Sequence, residues 1–237
     1  MAIATTGCRP ATEQEVSVKA SGAAAAQAQT GFQGIFPFTT REELDAYAAG
    51  PDQTYRDPVR TAREFAVSYL GFTTPQLADS GFQAGEPGVG QVPIGVRRDG
   101  EFLLATTVNL RQLAQQGAQG PWTVTSSSSP RIQVDSPDPL QRITSPVAVS
   151  GRGDAFENTV NVEVREDGTL AGQSRGRGFV TAESRGGPFR GEVAFRAPTR
   201  PGGAVIFQDR SAAGVGETNA FATTTVRVLF GSVQLTG

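Results

Sequence analysis

The sequence predicts a small α+β unit followed by an all-β sandwich, and three observations carry that expectation. Two short helical stretches with capping residues lie between Thr40 and Gly71. From Gln91 onward, apolar and polar residues alternate at the period of a strand, with Gly, Asp, Pro and Ser as turn punctuation. Ser126-Ser127-Ser128-Ser129-Pro130 then reads as a boundary between two halves, each long enough to bury its own core. The expected layout is a polar tether over residues 1–34, an α+β domain over 35–126 and a sandwich over 131–231.

Each element has a local reason. Residues 1–34 are rich in Ala, Gln and Ser and lack an apolar face to bury, so they read as disordered. Thr40-Arg41-Glu42-Glu43 is a capping box, and the helix it starts carries Leu44 and Tyr47 inward before Gly50-Pro51 ends it. Asp57 is the N-cap and Pro58 the first residue of a second helix. Val59, Ala62, Phe65, Ala66 and Tyr69 form its apolar stripe, and Gly71 closes it. Asp99-Gly100 joins two hairpin arms, Gln91–Arg97 and Glu101–Leu110, and in the second arm Phe102, Leu104, Thr106, Val108 and Leu110 share a face. Pro121–Thr125 is a further strand with Trp122 and Val124 on one side. Helices followed by an antiparallel meander pack as helix on sheet, loosely similar to the cystatin-like or nuclear-transport-factor-like cones.

In the second half, strands are expected at Arg131–Asp135, Pro146–Ser150, Thr159–Arg165, Gly178–Ala182, Phe189–Ala197, Ala204–Gln208 and Thr223–Phe230. The third alternates Val160, Val162 and Val164 against Asn161, Glu163 and Arg165, which predicts one face in the core and one in water. Turns at this spacing imply a sandwich.

Composition excludes several function classes. The chain has 237 residues and a net charge of −2, with 9 basic and 12 acidic residues before Arg131 and 12 and 11 from Arg131 onward. Neither half has the basic excess of a nucleic-acid binder. Histidine is absent, which removes Ser-His-Asp and Cys-His nucleophiles and His-ligated zinc. No cofactor and no metal site are expected. Cys8 is the single cysteine, so no intrachain disulfide forms. Thr5-Thr6-Gly7-Cys8 resembles the end of a bacterial lipobox, whose cysteine is acylated, although seven residues are too few for the usual leader and Thr5 stands where Leu is usual. A start upstream with Cys8 as a lipid anchor and an incidental thiol both stay open, and the spacer-like residues that follow favour the anchor.

Ser145-Pro146-Val147, Val149-Ser150-Gly151, Ala155-Phe156-Glu157, Asp167-Gly168, Gly187-Pro188-Phe189 and the last alternating strand together resemble the immunoglobulin-like domain associated with bacterial spore germination. Physically, Pro146 suits the start of a strand, Gly151 permits a bend, Phe156 plugs the core and Glu157 is placed to bond loop amides. The resemblance implies an immunoglobulin-like sandwich in an extracytoplasmic, cell-envelope protein, without catalysis of its own. Participation in sporulation or germination rests on the family's name alone.

The remaining motifs are weaker. Arg152-Gly153-Asp154 spells an integrin-binding tripeptide, a length that recurs by chance. Gly85–Gly90 lacks the Lys and Ser/Thr of a phosphate loop and reads as a plain loop. Asp135, Asp138, Glu163, Glu166 and Asp167 are carboxylates without a visible acid/base pairing, and Glu166-Asp167 before Gly168 reads as turn chemistry. Arg175, Arg177, Arg185 and Arg190 cluster in sequence and form a candidate site for an anionic polymer, set against the plainer reading of a solvated hairpin. The expectation is a non-catalytic, envelope-anchored binding or scaffolding protein facing cell-wall polymer or an envelope protein, with the membrane reached only through acylated Cys8. The alternative is a ligand-binding or enzymatic cone in residues 35–125 with a pocket lined by Phe65, Tyr69, Phe102 and Trp122.

Overall fold

The computed structural model describes residues 31–114, 120–210 and 222–231. Helix α1 spans Arg41–Ala49, and the Thr40 hydroxyl caps it by accepting from the Glu43 amide at 3.2 Å. The Glu43 carboxylate reaches back one residue beyond a capping box, accepting from the amide and hydroxyl of Thr39 at 2.8 and 3.0 Å. Helix α2 spans Pro58–Glu64, and Asp57 caps it by accepting from the amides of Val59 and Arg60 at 2.8 and 3.1 Å. The helix widens into a π-turn over Phe65–Tyr69 and ends at Gly71, whose φ of +80° only glycine adopts freely.

Thirteen described strands follow: β1 Gln76–Leu77, β2 Gln83–Ala84, β3 Val89–Arg98, β4 Glu101–Gln112, β5 Trp122–Ser128, β6 Ile132–Ser136, β7 Arg142–Ile143, β8 Val147–Gly153, β9 Thr159–Glu166, β10 Gly176–Thr181, β11 Gly187–Val193, β12 Gly202–Gln208 and β13 Thr223–Phe230. Ten of them form one sheet along the path β1-β3-β4-β5-β13-β12-β9-β10, with β2 beside β3 and β7 beside β13; the other three form a sheet ordered β11-β8-β6. Helix α2 and the π-turn lie on one face of the large sheet, and the small sheet lies on the other.

Two cores follow from this layering. On the helix side, Phe65, Ala66, Tyr69 and Leu70 pack with Val92, Ile94, Val108, Leu110, Val124, Ala204 and Ile206. On the sandwich side, Val160, Val162, Val164, Val205, Phe207, Val226, Val228 and Phe230 pack with Ile132, Val147, Val149, Phe189 and Val193. Strands β12 and β13 contribute to both layers, so every residue in them is buried.

Several expectations are corrected. Ser126–Ser128 belong to β5, where Ser127 pairs with Thr225. Their hydroxyls have partners there: Ser127 Oγ donates to Thr225 Oγ1 at 3.0 Å, and Ser126 Oγ accepts from Asn109 Nδ2 at 3.0 Å. The change of direction falls at Pro130-Arg131, closed by Ile132 N donating to Ser129 O at 3.2 Å, where the chain passes from the large sheet to the small one. In β4 a bulge separates the Ile94–Thr106 pair from Gly95–Leu104, making Ala105 the extra residue. Thr106, Val108 and Leu110 are therefore fully buried while Phe102 and Leu104 stay half-exposed, which breaks the single face expected there. The Asp99-Gly100 turn is as expected, with both residues at positive φ.

Within the sandwich, Phe156 is 49% exposed and Ala155 takes the buried position expected of it. The side chain at 156 points out because Glu157 and Asn158 both adopt left-handed backbone, rotating this short turn off the strand path. Gly151 serves close approach and no bend: it lies inside β8, where an added Cβ would collide with the Gln133 carbonyl and sit 2.7 Å from Phe189 Cζ. The polar side of β9 is also covered. Arg165 is 0% exposed and Glu163 is buried, because the helix layer covers the side expected in water.

Candidate functional site

The face of the large sheet beneath the helix layer carries matched charges. Arg165 donates to both oxygens of Glu163, Nε to Oε1 at 2.8 Å and Nη2 to Oε2 at 3.0 Å. Its Nη1 donates to the Tyr69 carbonyl, and its guanidinium lies 5.0 Å from the Tyr69 ring centre. Arg227 on β13 does the same with Asp167, through Nη1 to Oδ1 and Nη2 to Oδ2 at 2.9 Å, and its Nε donates to Phe32 O at 3.3 Å. Glu166 pairs with Arg175 and accepts from the amide and hydroxyl of Thr199 at 2.7 and 3.2 Å. Tyr69 and Phe32 belong to the N-terminal region, so two arginines of the sandwich strands bind its backbone directly.

Electrostatics follow from these contacts. Burial works against ionised Glu163, but the bond to Arg165 and the charges of Arg165, Arg177 and Arg210 outweigh it and hold the carboxyl below its ordinary value. Glu166 is lowered in the same way, with Arg175 and the Thr199 amide overcoming burial. Asp167 goes the other way: burial pushes it up, and the Arg227 bond only moderates the shift. Burial likewise pushes the Tyr69 hydroxyl well above its usual range.

A cleft of about 430 Å³ opens where β5 and β13 part company. The two strands share the single register pair Ser127–Thr225, and the loop after β6 fills in beyond it, with Leu140 N donating to Arg227 O at 2.7 Å. Hydroxyl and amide side chains of Thr125, Ser126, Gln33 and Gln133 line the opening, with Ile132, Val134, Leu140 and Val226 as its apolar wall. A concave site that is mostly apolar with a few polar groups is the common form of a binding site. Sequence reasoning missed it because the serine run read as a linker; the signal was present in Thr125, whose residue type continues the β-alternation into the serines.

The predicted site residues do not come together. Arg175 is committed to Glu166. Arg177 lies 3.5 Å from Glu163, Arg185 pairs with Asp154 at 2.9 Å, and Arg190 is on β11 opposite Ser150 in the other sheet. Phe65 and Tyr69 stack at 5.1 Å inside the helix-side core, and Trp122 joins that core with Phe82 edge-on at 5.2 Å. Phe102 lies apart, half-exposed under Arg97. Phe65, Tyr69 and Trp122 therefore fill a core that Phe102 does not join. Gly85–Gly90 forms the turn into β3, with Val89 N donating to Glu86 O at 2.9 Å. Cys8 lies outside the described residues. Among the described residues, no cluster of three or more acidic or Cys side chains is placed to hold a metal ion, and no helix is long and apolar enough to cross a membrane.

No curated protein and no solved structure matches the chain significantly. One family model matches part of the chain, and the stretch it covers begins at the corner where the small sheet starts. Residues 131–215 match the immunoglobulin-like domain of bacterial spore germination.

Proposed function

We propose that the protein is a non-catalytic, envelope-anchored binding or scaffolding protein, working in the germination setting that the family description names, with lipidated Cys8 as tether and a wall polymer or envelope protein as partner. The observation that carries this reading is the cleft between β5, β6 and β13. Its described lining holds hydroxyls, amides and apolar side chains with Asp138 as the one carboxylate, a set suited to holding a ligand and short of the paired carboxylates of a glycosidase. The absence of histidine points the same way, as does the commitment of Glu163, Glu166 and Asp167 to arginine partners. The packing of Phe65, Tyr69 and Trp122 into a filled core favours scaffolding over an enzymatic cone.

Co-sedimentation with purified cell-wall sacculi tests the reading. The wild type is expected to pellet with the wall, and Gln133→Trp, which fills the cleft from an exposed position, should cut the bound fraction at least fivefold without changing Tm. Equal pelleting of the two proteins, or none by the wild type, refutes the cleft as the wall-binding site. For the anchor, Cys8→Ser in the native host should move the protein from the membrane fraction to the soluble one.

A further inference from the structure

Strand β6 is an end strand of the small sheet, and its pairing with β8 decides where its backbone groups point. In an antiparallel pair, the N–H and C=O of alternate residues face the partner strand, and those between face away. Asp154 N donates to Arg131 O at 2.8 Å, in line with the register Ile132–Gly153, so Arg131 and Gln133 face β8. Ile132 and Val134 therefore face outward. The contacts of Ile132 agree: its N–H donates to Ser129 O at 3.2 Å, and its C=O accepts from Thr224 Oγ1 at 2.6 Å. Val134 turns its N–H and C=O to the same side, where no described strand lies beside β6. That side is the cleft, which both residues line.

An open strand edge can take an extended peptide as a further strand. Main-chain hydrogen bonds then hold the peptide, and pockets for alternate side chains select it. The cleft offers both kinds of selection. Val134, Leu140 and Val226 supply apolar surface, and the exposed Asp138 supplies a carboxylate to which the described residues bring no cation. Arg227, the other charged residue of the lining, is committed to Asp167. The described lining holds no aromatic ring on which a sugar face could rest. Backbone donor and acceptor side by side, apolar walls and one carboxylate match a peptide better than a glycan.

We propose that the cleft binds an extended peptide segment bearing a basic side chain, added as a strand to the outer edge of β6. The N–H and C=O of Val134 pair with one peptide residue, and Asp138 takes the basic group. The proposal rests on the cleft as the binding site and narrows its partner to a protein.

Calorimetric titration of the full chain with acetylated, amidated Thr-Val-Lys-Val-Thr tests it, with chitotetraose as the neutral glycan counterpart. The peptide is expected to bind and chitotetraose not to. Methylating the backbone nitrogen of the central Lys, or of the Val before it, removes an N–H from opposite edges of the peptide. One methylated peptide should bind at least tenfold more weakly, and the other within twofold of the parent. Val134→Pro, which deletes the outward donor of β6, should lose at least tenfold. Asp138→Asn should weaken the Lys peptide about threefold, the scale of an exposed ion pair, and leave its Lys-to-Ala counterpart unchanged. The methylated peptides are read on the wild type, so they keep the test valid if Val134→Pro folds poorly. No peptide binding at millimolar concentration, or equal effects of the two methylations, overturns the proposal. Tighter binding of chitotetraose overturns it in favour of a glycan, and a dimer that Gln133→Trp breaks overturns it in favour of a second copy of the chain. Pelleting with sacculi that depends on Gln133, without peptide binding, would sink this proposal alone and leave the cleft as a binding site.

Discussion

Arg165 and Glu163 are buried together, and burial is tolerated because each satisfies the other in a two-point fork while Nη1 takes the Tyr69 carbonyl. Removing one member leaves a charge in a poorly solvated place. Arg165→Leu should therefore lower stability by about 3–5 kcal/mol in urea unfolding, and Glu163→Leu added to it should recover much of the loss. A single variant as stable as the wild type would show that the pair contributes nothing. The same residues set the acid response. Glu163 and Glu166 sit below their ordinary values, so their contribution is present above the unfolded value of about 4.3 and is lost as pH falls through the folded values. Asp167 is raised, so its contribution is present below its unfolded value and lost as pH rises, which partly offsets the other two. Tm should fall on acidification below about pH 4.5, and Glu166→Gln should flatten that fall. A Tm that rises on acidification would contradict the assignment. From sequence, Glu163 and Arg165 were visible only as the polar half of an alternating strand; nothing local distinguishes a solvated face from one covered by a helical turn 96 residues earlier in the chain, contributed here by Tyr69.

Elements were more legible, because their signals are local. The Thr40 and Asp57 caps, the Gly50 and Gly71 stops and the Asp99-Gly100 turn each depend on residues within a few positions, and each lies where the residue types place it. Asp57→Ala removes the acceptor for two amides and should lower Tm in proportion to about 1 kcal/mol; thermal unfolding reads it directly, and no change would mean that Pro58 suffices to start α2. The bulge at Ala105 and the exposed turn at Phe156 were not legible, since both arise from how a strand matches its neighbour and not from its own pattern. Gly151 illustrates the difference: its identity was informative but the reason for it required the ring of Phe189. Gly151→Ala should cost about 1–3 kcal/mol by forcing β6 or that ring aside. A loss below a few tenths in chemical denaturation would place the ring elsewhere.

The whole molecule is organised around β12 and β13, which have helix-side residues on one face and sandwich residues on the other. Residues 131–237 expressed alone would expose Ala204, Ile206, Arg165 and Arg227, so that fragment should aggregate or lack a cooperative unfolding transition. The full chain should unfold in one transition. A soluble fragment with the stability of the parent would show that the shared sheet is dispensable. The residue pattern by itself determined the α+β-then-β order, the valine rows, the caps and turns, and a family likeness carried by motifs along residues 131–215, because each of these is written in neighbours close along the chain. Tertiary structure alone decided that Ser126–Ser128 join two sheet regions, that charges on β9 and β13 are buried, and that Arg177 of β10 lies beside Glu163 of β9. Those outcomes depend on which strands lie side by side and what covers them, and pairing between distant segments is set by the summed packing of all the layers and by no short stretch of sequence.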